Sequence, residues 1–246
     1  QWVNSEGEVS RGYREDGYFP EAFVNLLAML GWNPGTEQEL FTLEELTAAF
    51  SLERVIKSGA RFNADKAKWY NKEYLRTKSA EELATLYIPV LESHGLQIVD
   101  CPACALTAGS AMNVAGADFE NRIFSRQYVE RVVALIQERA TFVADFWDIA
   151  SYLFVAPTEF VEKDAAKFWK EENYTLALQA ADFILGFEGE FTKASLEGPL
   201  EEYIRGNEWP MGKVMNCLRL ALVGASSGLG IADIVTLIGK EEFAKR

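Results

Sequence analysis

The chain has 246 residues, of which 49% are hydrophobic and 25% are charged, and its formal net charge is −13. This balance is typical of a folded globular protein and excludes a disordered or fibrous one. No uninterrupted apolar stretch approaches the roughly 20 residues that span a bilayer, so we expect a cytoplasmic protein without a membrane partner. Three cysteines are too few for a disulfide framework and suit a reducing compartment. The negative charge, taken alone, argues against a nucleic-acid partner.

The first predicted helix covers residues 20–30. Pro20 suits a first helical position because its missing N–H would have no helical acceptor there. Apolar residues then recur with helical spacing from Phe23 to Leu30, which gives the helix one apolar face. Gly31 is a typical residue for its end.

Two further helix starts are marked by pairs of residues three apart. In Thr42 with Glu45, and in Ser79 with Glu82, a hydroxyl and a carboxylate have the spacing of a capping box. Such a pair satisfies backbone N–H groups that have no partner within the helix. We therefore predict helices that begin after Thr42 and after Ser79.

The second half of the chain is also predicted to be helical. Residues 94–118 break the rhythm with a run of small residues and are interpreted as a long loop or insertion. Helical spacing returns from Arg122 to Leu153 and stops at Pro157. Further helices are predicted at about 160–171, 174–186, 192–205, 210–223 and 231–246. The pattern therefore predicts an all-α fold, divided near Pro157 into two helical units.

One glycine-rich segment could carry nucleotide chemistry. The run from Leu220 to Gly230 is similar to the phosphate loop of a short-chain dehydrogenase, where glycines let backbone N–H groups approach a pyrophosphate. That loop must open a large parallel sheet, yet only sixteen residues follow Gly230. A structural or nucleic-acid-binding loop is the better interpretation, and a reductase fragment stays a minor alternative.

A second candidate is a metal site at Cys101 and Cys104, which have the Cys-x2-Cys spacing of a zinc knuckle. Structural zinc needs four ligands, and the remaining candidates are His94 and the distant Cys217. Two ordinary thiols are the better interpretation. We therefore predict no metal ion and no catalytic residue in this chain.

Basic side chains form three sets, each of which could face phosphates or could be ordinary surface charge. The sets are Arg122, Arg126, Arg131 and Arg139; Lys163, Lys167 and Lys170; and Lys213 with Arg219. Without a catalytic constellation, these residues favour a binding protein over an enzyme.

Several stretches resemble, in the family's own order, bacterial glutamyl-tRNA synthetases. The sequence from Gly12 to Trp32 resembles the segment that follows the family's KMSKS-type loop. Residues 52–55, 57–62, 65–66 and 69–71 resemble its stem-contact region, and residues 211–214, 218–224 and 237–241 resemble its last anticodon-binding domain. No HIGH-type or KMSKS-type sequence is present, so the resemblance implies the C-terminal part of such an enzyme without its catalytic domain.

The resemblance implies a helical stem-contact domain at residues 1–150, with the insertion at 94–118, and a helical anticodon-binding cage at 151–246. Arg139 is the best match to an arginine that reads an anticodon base in this family. The loop residues Ser226, Ser227 and Gly228 match a second anticodon-contacting element, where small residues let backbone groups reach a splayed base. Lys213 and Arg219 are predicted phosphate contacts, although Arg219 could be a structural ion-pair partner instead.

The resemblance also implies a function. The partner would be tRNA(Glu), with no DNA and no membrane, and the chain is expected to be a monomer. ATP with magnesium would act in the parent enzyme's missing domain, so this chain needs no cofactor and should be inactive as a ligase by itself. The alternative is a helical protein-interaction scaffold that binds no tRNA. The acidic charge does not exclude tRNA, because residues 1–50 carry a net −7 whereas residues 201–246 are neutral overall.

Overall fold

The computed structural model describes residues 2–3, 9–57, 59, 61–100 and 116–246. The chain divides into two compact units. The first comprises Gln1–Val90 and Val133–Ile149, and the second comprises Leu91–Val132 and Ala150–Arg246. Among the described residues, no helix is both long enough and apolar enough to cross a bilayer.

The described residues are mostly helical. The α-helices are α1 (Pro20–Met29), α2 (Leu43–Ala49), α3 (Ala64–Thr77), α4 (Ala80–Ser93), α5 (Arg126–Ile136), α6 (Asp145–Ala150), α7 (Glu162–Phe168), α8 (Glu171–Gly186), α9 (Lys193–Gly206), α10 (Met211–Val223), α11 (Ile231–Ile238) and α12 (Lys240–Lys245). Short 3-10 turns occur at Leu52–Arg54, Gln137–Arg139 and Ser151–Leu153. The strands are β1 (Trp2–Val3), β2 (Val9–Ser10), β3 (Gln97–Val99), β4 (Ala117–Asp118) and β5 (Ile123–Ser125).

Helix starts in the first unit follow the sequence predictions. Helix α1 begins at Pro20, as predicted. The Thr42 hydroxyl accepts from the Glu45 N–H at 3.2 Å while the Glu45 carboxylate accepts from the Thr42 N–H at 2.7 Å. The same reciprocal pair joins Ser79 and Glu82 ahead of α4. Both predicted capping boxes are therefore confirmed.

A buried asparagine connects separate segments of the first unit. The Asn71 side chain on α3 is fully buried, accepts from the Phe19 N–H at 2.8 Å and donates to the Thr141 carbonyl at 2.6 Å. Those two backbone groups flank α1 and α6, respectively. Because a buried polar backbone group needs a partner, Asn71 fixes where these segments meet.

The second unit contains a small sheet that the sequence analysis did not predict. Its strand order is β3-β5-β4, with β3 parallel and β4 antiparallel to β5. The prediction of a continuous loop at 94–118 is wrong for β3 and β4, and the prediction of helix from Arg122 is wrong for β5. All three residues of β5 are buried, so this strand lacks the alternation that marks a strand in sequence. Residues 101–115 of the predicted insertion lie outside the described residues.

The C-terminal helices match their predicted positions with one correction. The predicted helix at 231–246 is two helices, α11 and α12, because Gly239 between them has a φ of 83°. Such a backbone conformation cannot continue a right-handed helix. The predominantly helical fold is confirmed, with the small sheet as an addition.

Candidate nucleic-acid interface

The loop between α10 and α11 contains three of the predicted site residues. Helix α10 ends where Gly224 adopts a φ of 83° and donates its N–H to the Leu220 carbonyl at 2.8 Å. A Cβ atom on Gly224 would lie 2.5 Å from the carbonyl oxygen of Glu159. Glycine is thus required here by backbone conformation and by close contact, which fixes the start of the loop.

Arg219 holds this loop from the inside. Its Nε donates to the Leu229 carbonyl at 3.2 Å, and its Nη1 donates to the Ser226 carbonyl at 3.3 Å and to Asn216 Oδ1 at 2.8 Å. Burial lowers the pKa of Arg219, and the electrostatic effect of the nearby Tyr152 partly offsets this shift. Arg219, which is predicted to contact a phosphate, therefore donates hydrogen bonds to two backbone carbonyls and to the Asn216 side chain. None of these contacts is an ion pair.

Asp164 on α7 holds the loop from a second side. The Ser226 N–H donates to Asp164 Oδ2 at 2.8 Å. Hydrogen bonds from the backbone and hydroxyl of Ser226 lower the pKa of Asp164, and Lys167 and Lys163 add smaller electrostatic contributions. Sequence reasoning missed Asp164, because 62 residues separate it from Ser226 and it looks like part of a solvated helix face.

A third attachment comes from Tyr152. Its hydroxyl accepts from the Leu229 N–H at 3.3 Å. Gly228 lies beside it with a φ of 153°, and a Cβ added there would lie 3.5 Å from the Tyr152 hydroxyl and 3.3 Å from Val223. Ser227 and Gly228 nevertheless remain exposed. The loop is therefore held in place by Arg219, Asp164 and Tyr152, while Ser227 and Gly228 form an accessible apex of small residues.

Lys213 does not lie next to this apex. It is exposed near the start of α10, ten residues before Val223, and a helix of that length advances about 15 Å. Its Nζ lies 3.5 Å from Glu172 Oε1, with both side chains more than half exposed. Exposed ion pairs of this kind contribute little to the stability of the fold, so the ammonium group can pair with another anion instead.

Arg139 lies in the first unit, whereas the five other predicted site residues lie in the second. It is exposed and ends the 3-10 turn Gln137–Arg139, where the Ala140 N–H donates to the Gln137 carbonyl at 3.3 Å. The neighbouring Glu138 pairs with Arg76 of α3 at 2.9 Å. This turn is therefore tied to α3 beside the predicted base-reading arginine.

The described residues contain no group of three or more His, Cys, Asp or Glu side chains that could hold a metal ion. The Cys101 and Cys104 pair lies outside them. Cys217 is buried on α10, and burial raises the pKa of its thiol.

Helix α10, rather than a strand, precedes the glycine-rich loop, so the dinucleotide-binding arrangement of a reductase is not present there.

Comparison with known proteins identifies the part of the chain that carries this loop. The family model described as an anticodon binding domain matches residues 82–246, and the catalytic domain of class I tRNA synthetases (E and Q) matches residues 6–69. The glutamate–tRNA ligase of Parabacteroides distasonis is 41% identical over 98% of the chain, and that of Flavobacterium psychrophilum is 42% identical over 100%. The chain belongs to the glutamate–tRNA ligase family.

Solved structures of this family have the same fold. A crystal structure of a glutamate tRNA ligase from Elizabethkingia meningosepticum, in complex with its amino acid, matches 99% of the chain with a TM-score of 0.81 and 33% identity. Glutamate-tRNA synthetase from Elizabethkingia anophelis matches the same share with a TM-score of 0.78 and 32% identity. The chain spans 42–43% of the length of these relatives.

Proposed function

We propose that the chain recognises tRNA(Glu), with the loop at residues 224–230 contacting anticodon nucleotides. The observation that carries this proposal is that Arg219, Asp164 and Tyr152 hold the loop in place while its apex is exposed. Backbone groups at such an apex can hydrogen-bond the edges of unstacked nucleotide bases. Because the loop is already held in place, less conformational entropy is lost on binding. The loop also lies within the stretch similar to anticodon binding domains.

The remaining predicted residues take roles that fit their positions. We assign Arg139 to reading an anticodon base, because a planar guanidinium can both stack on a base and hydrogen-bond its edge. Lys213 contacts a phosphate away from the apex, and Ser226, Ser227 and Gly228 form the loop contact itself. Arg219 acts on tRNA through the loop that it holds. In this scheme residues 1–150 form a stem-contact domain and residues 151–246 an anticodon-binding domain.

The parent enzyme would be a cytoplasmic, monomeric glutamate–tRNA ligase that uses ATP. Only residues 6–69 of the chain are similar to the class I catalytic domain. We therefore assign no step of glutamate activation to this chain and expect it to lack ligase activity alone. Its contribution is to position tRNA and to discriminate between tRNAs.

Binding of fluorescently labelled tRNA(Glu) transcript at low salt tests the proposal. We expect saturable binding that weakens as salt rises, because phosphate contacts release counterions. Arg139→Ala should weaken binding by roughly fivefold or more, whereas Arg205→Ala, an exposed arginine paired with Glu201 at 2.6 Å, should not. A folded protein that binds no tRNA at low salt would instead be the helical scaffold.

A further inference from the structure

A cavity in the second unit, which we call the 119–246 cavity, is lined by more basic than acidic side chains. Its volume is about 630 Å³. Part of its lining comes from the turn between β4 and β5, and part comes from α12 and the residue after it. The charged residues of the lining are three basic ones, Arg122, Lys245 and Arg246, and two acidic ones, Glu120 and Glu242. The charged side chains of the lining therefore sum to a positive charge, although the net charge of the chain is −13.

One of the two acidic residues is already neutralised. The Glu242 Oε1 atom accepts from Arg246 Nε at 2.7 Å, and the two side chains are only 10% and 2% exposed. Arg122, Lys245 and Glu120 are exposed. Within the part of the chain that the structure describes, neither Arg122 nor Lys245 forms an ion pair. Two unneutralised cations thus face the cavity together with one carboxylate, that of Glu120.

Arg246 has a hydrogen-bond donor that the fold does not use. Its Nε donates to Glu242 and its Nη1 donates to the Tyr152 carbonyl, whereas its Nη2 is buried and has no partner among the described residues. The guanidinium carbon lies 5.4 Å from the centre of the Phe119 ring, which also lines the cavity. A buried N–H donor without an acceptor is uncommon and costly in folded proteins. This donor therefore indicates that an acceptor from a ligand belongs at the cavity wall.

Arg122 is placed at the cavity by a constrained turn. The Asp118 side chain accepts from the Asn121 N–H at 3.1 Å and from the Asn121 amide at 2.9 Å, and the Arg122 carbonyl accepts from the Gln97 N–H at 2.9 Å. Arg122 itself has a φ of 56°, in the left-handed region that favours glycine over arginine. Glycine at this position would therefore keep the backbone of the turn and remove only the charged side chain.

We propose that the 119–246 cavity binds a phosphate group. A guanidinium group matches the oxygens of phosphate with paired N–H donors, and the lysine ammonium group adds a compact positive charge. A phosphate has enough acceptor oxygens for Arg122, Lys245 and the unused donor of Arg246 together, whereas a carboxylate has only two. The cavity is larger than a phosphate ion, and Phe154 and Val155 give it an apolar wall beside which the rest of a phosphate ester can lie. None of its lining residues belongs to the loop at residues 224–230, so this inference does not rest on the proposed function.

A titration with inorganic phosphate tests the inference, followed by the backbone amide resonances of residues 119–121. We expect saturable shifts with phosphate and none with chloride at the same ionic strength. Arg122→Gly and Lys245→Ala should each weaken phosphate binding by roughly fivefold or more, because each removes a charged donor. Arg122→Gly should also be at least as stable as the wild type in urea, since glycine suits the left-handed backbone. Loss of binding in this variant then cannot be attributed to unfolding.

Arg205→Ala is the matched control, because Arg205 is an exposed arginine of the same unit that pairs with Glu201 and does not line the cavity. It should bind phosphate as tightly as the wild type. Competition with a uridine oligonucleotide distinguishes the two sources of the phosphate group. Displacement of phosphate supports an RNA backbone as the source, and no displacement supports a small phosphate ester.

Three results would overturn the inference. They are the absence of saturable shifts with phosphate, equal shifts with chloride, and equally tight phosphate binding by Arg122→Gly and the wild type. Failure of the chain to bind tRNA(Glu) would contradict the proposed function and leave this inference unaffected.

Discussion

Gly224 is the residue on which the geometry of the candidate loop depends most. Gly224→Ala would place a Cβ in a left-handed conformation and 2.5 Å from the Glu159 carbonyl oxygen. We expect it to lower the free energy of unfolding by about 2 kcal/mol or more in urea denaturation. Gly212→Ala on the same helix meets no atom within 4 Å and should be neutral or stabilising by up to about 1 kcal/mol. Equal stability of the two variants would contradict this role of Gly224.

Asp164 makes the loop sensitive to acid. Its pKa is lowered in the folded protein by hydrogen bonds from Ser226, so its stabilising effect is complete above the unfolded pKa of about 3.9. That effect is lost as the pH falls through the lower pKa of the folded state. The amide resonance of Ser226 should therefore titrate with a midpoint below the ordinary pKa of an aspartate side chain. In Asp164→Asn this titration should be absent, and an unchanged titration would show that another group is responsible.

At the scale of elements, one side chain connects α3 to the segments that flank α1 and α6. Asn71→Leu would leave the buried Phe19 N–H and Thr141 carbonyl without a partner. We expect a loss of about 2–4 kcal/mol in the free energy of unfolding. Lys68→Leu, an exposed position on the same helix, should change it by less than about 0.5 kcal/mol. A tolerated Asn71→Leu would show that these segments are held by other contacts.

Elements with a local signal could be predicted from the sequence. Helix α1 is marked by Pro20 and its apolar spacing, and both capping boxes form because their residues are three positions apart. The small sheet has no such local signal, because β3 and β5 are only three residues long and pair with each other although they are distant in the sequence. Asp164 could not be assigned to the loop for the same reason. The break at Gly239 depends on a backbone conformation that the residue type permits but does not require.

For the whole molecule, the distribution of charge matters more than its sum. The net charge of −13 would repel RNA if it were spread evenly, yet residues 201–246, which include Lys213 and the candidate loop, are neutral overall. We therefore expect a small contact surface on an acidic body, with an affinity for tRNA that falls steeply as salt increases.

Anticodon discrimination tests most directly whether the chain recognises tRNA(Glu) through its anticodon. Affinities of the wild-type chain are measured for the tRNA(Glu) transcript and for transcripts in which one anticodon base at a time is replaced. We expect the altered transcripts to bind more weakly by about 1–3 kcal/mol per lost base contact, the scale of base recognition by hydrogen bonds. Equal affinity for all of these transcripts would contradict it, because a chain that reads the anticodon must distinguish its bases.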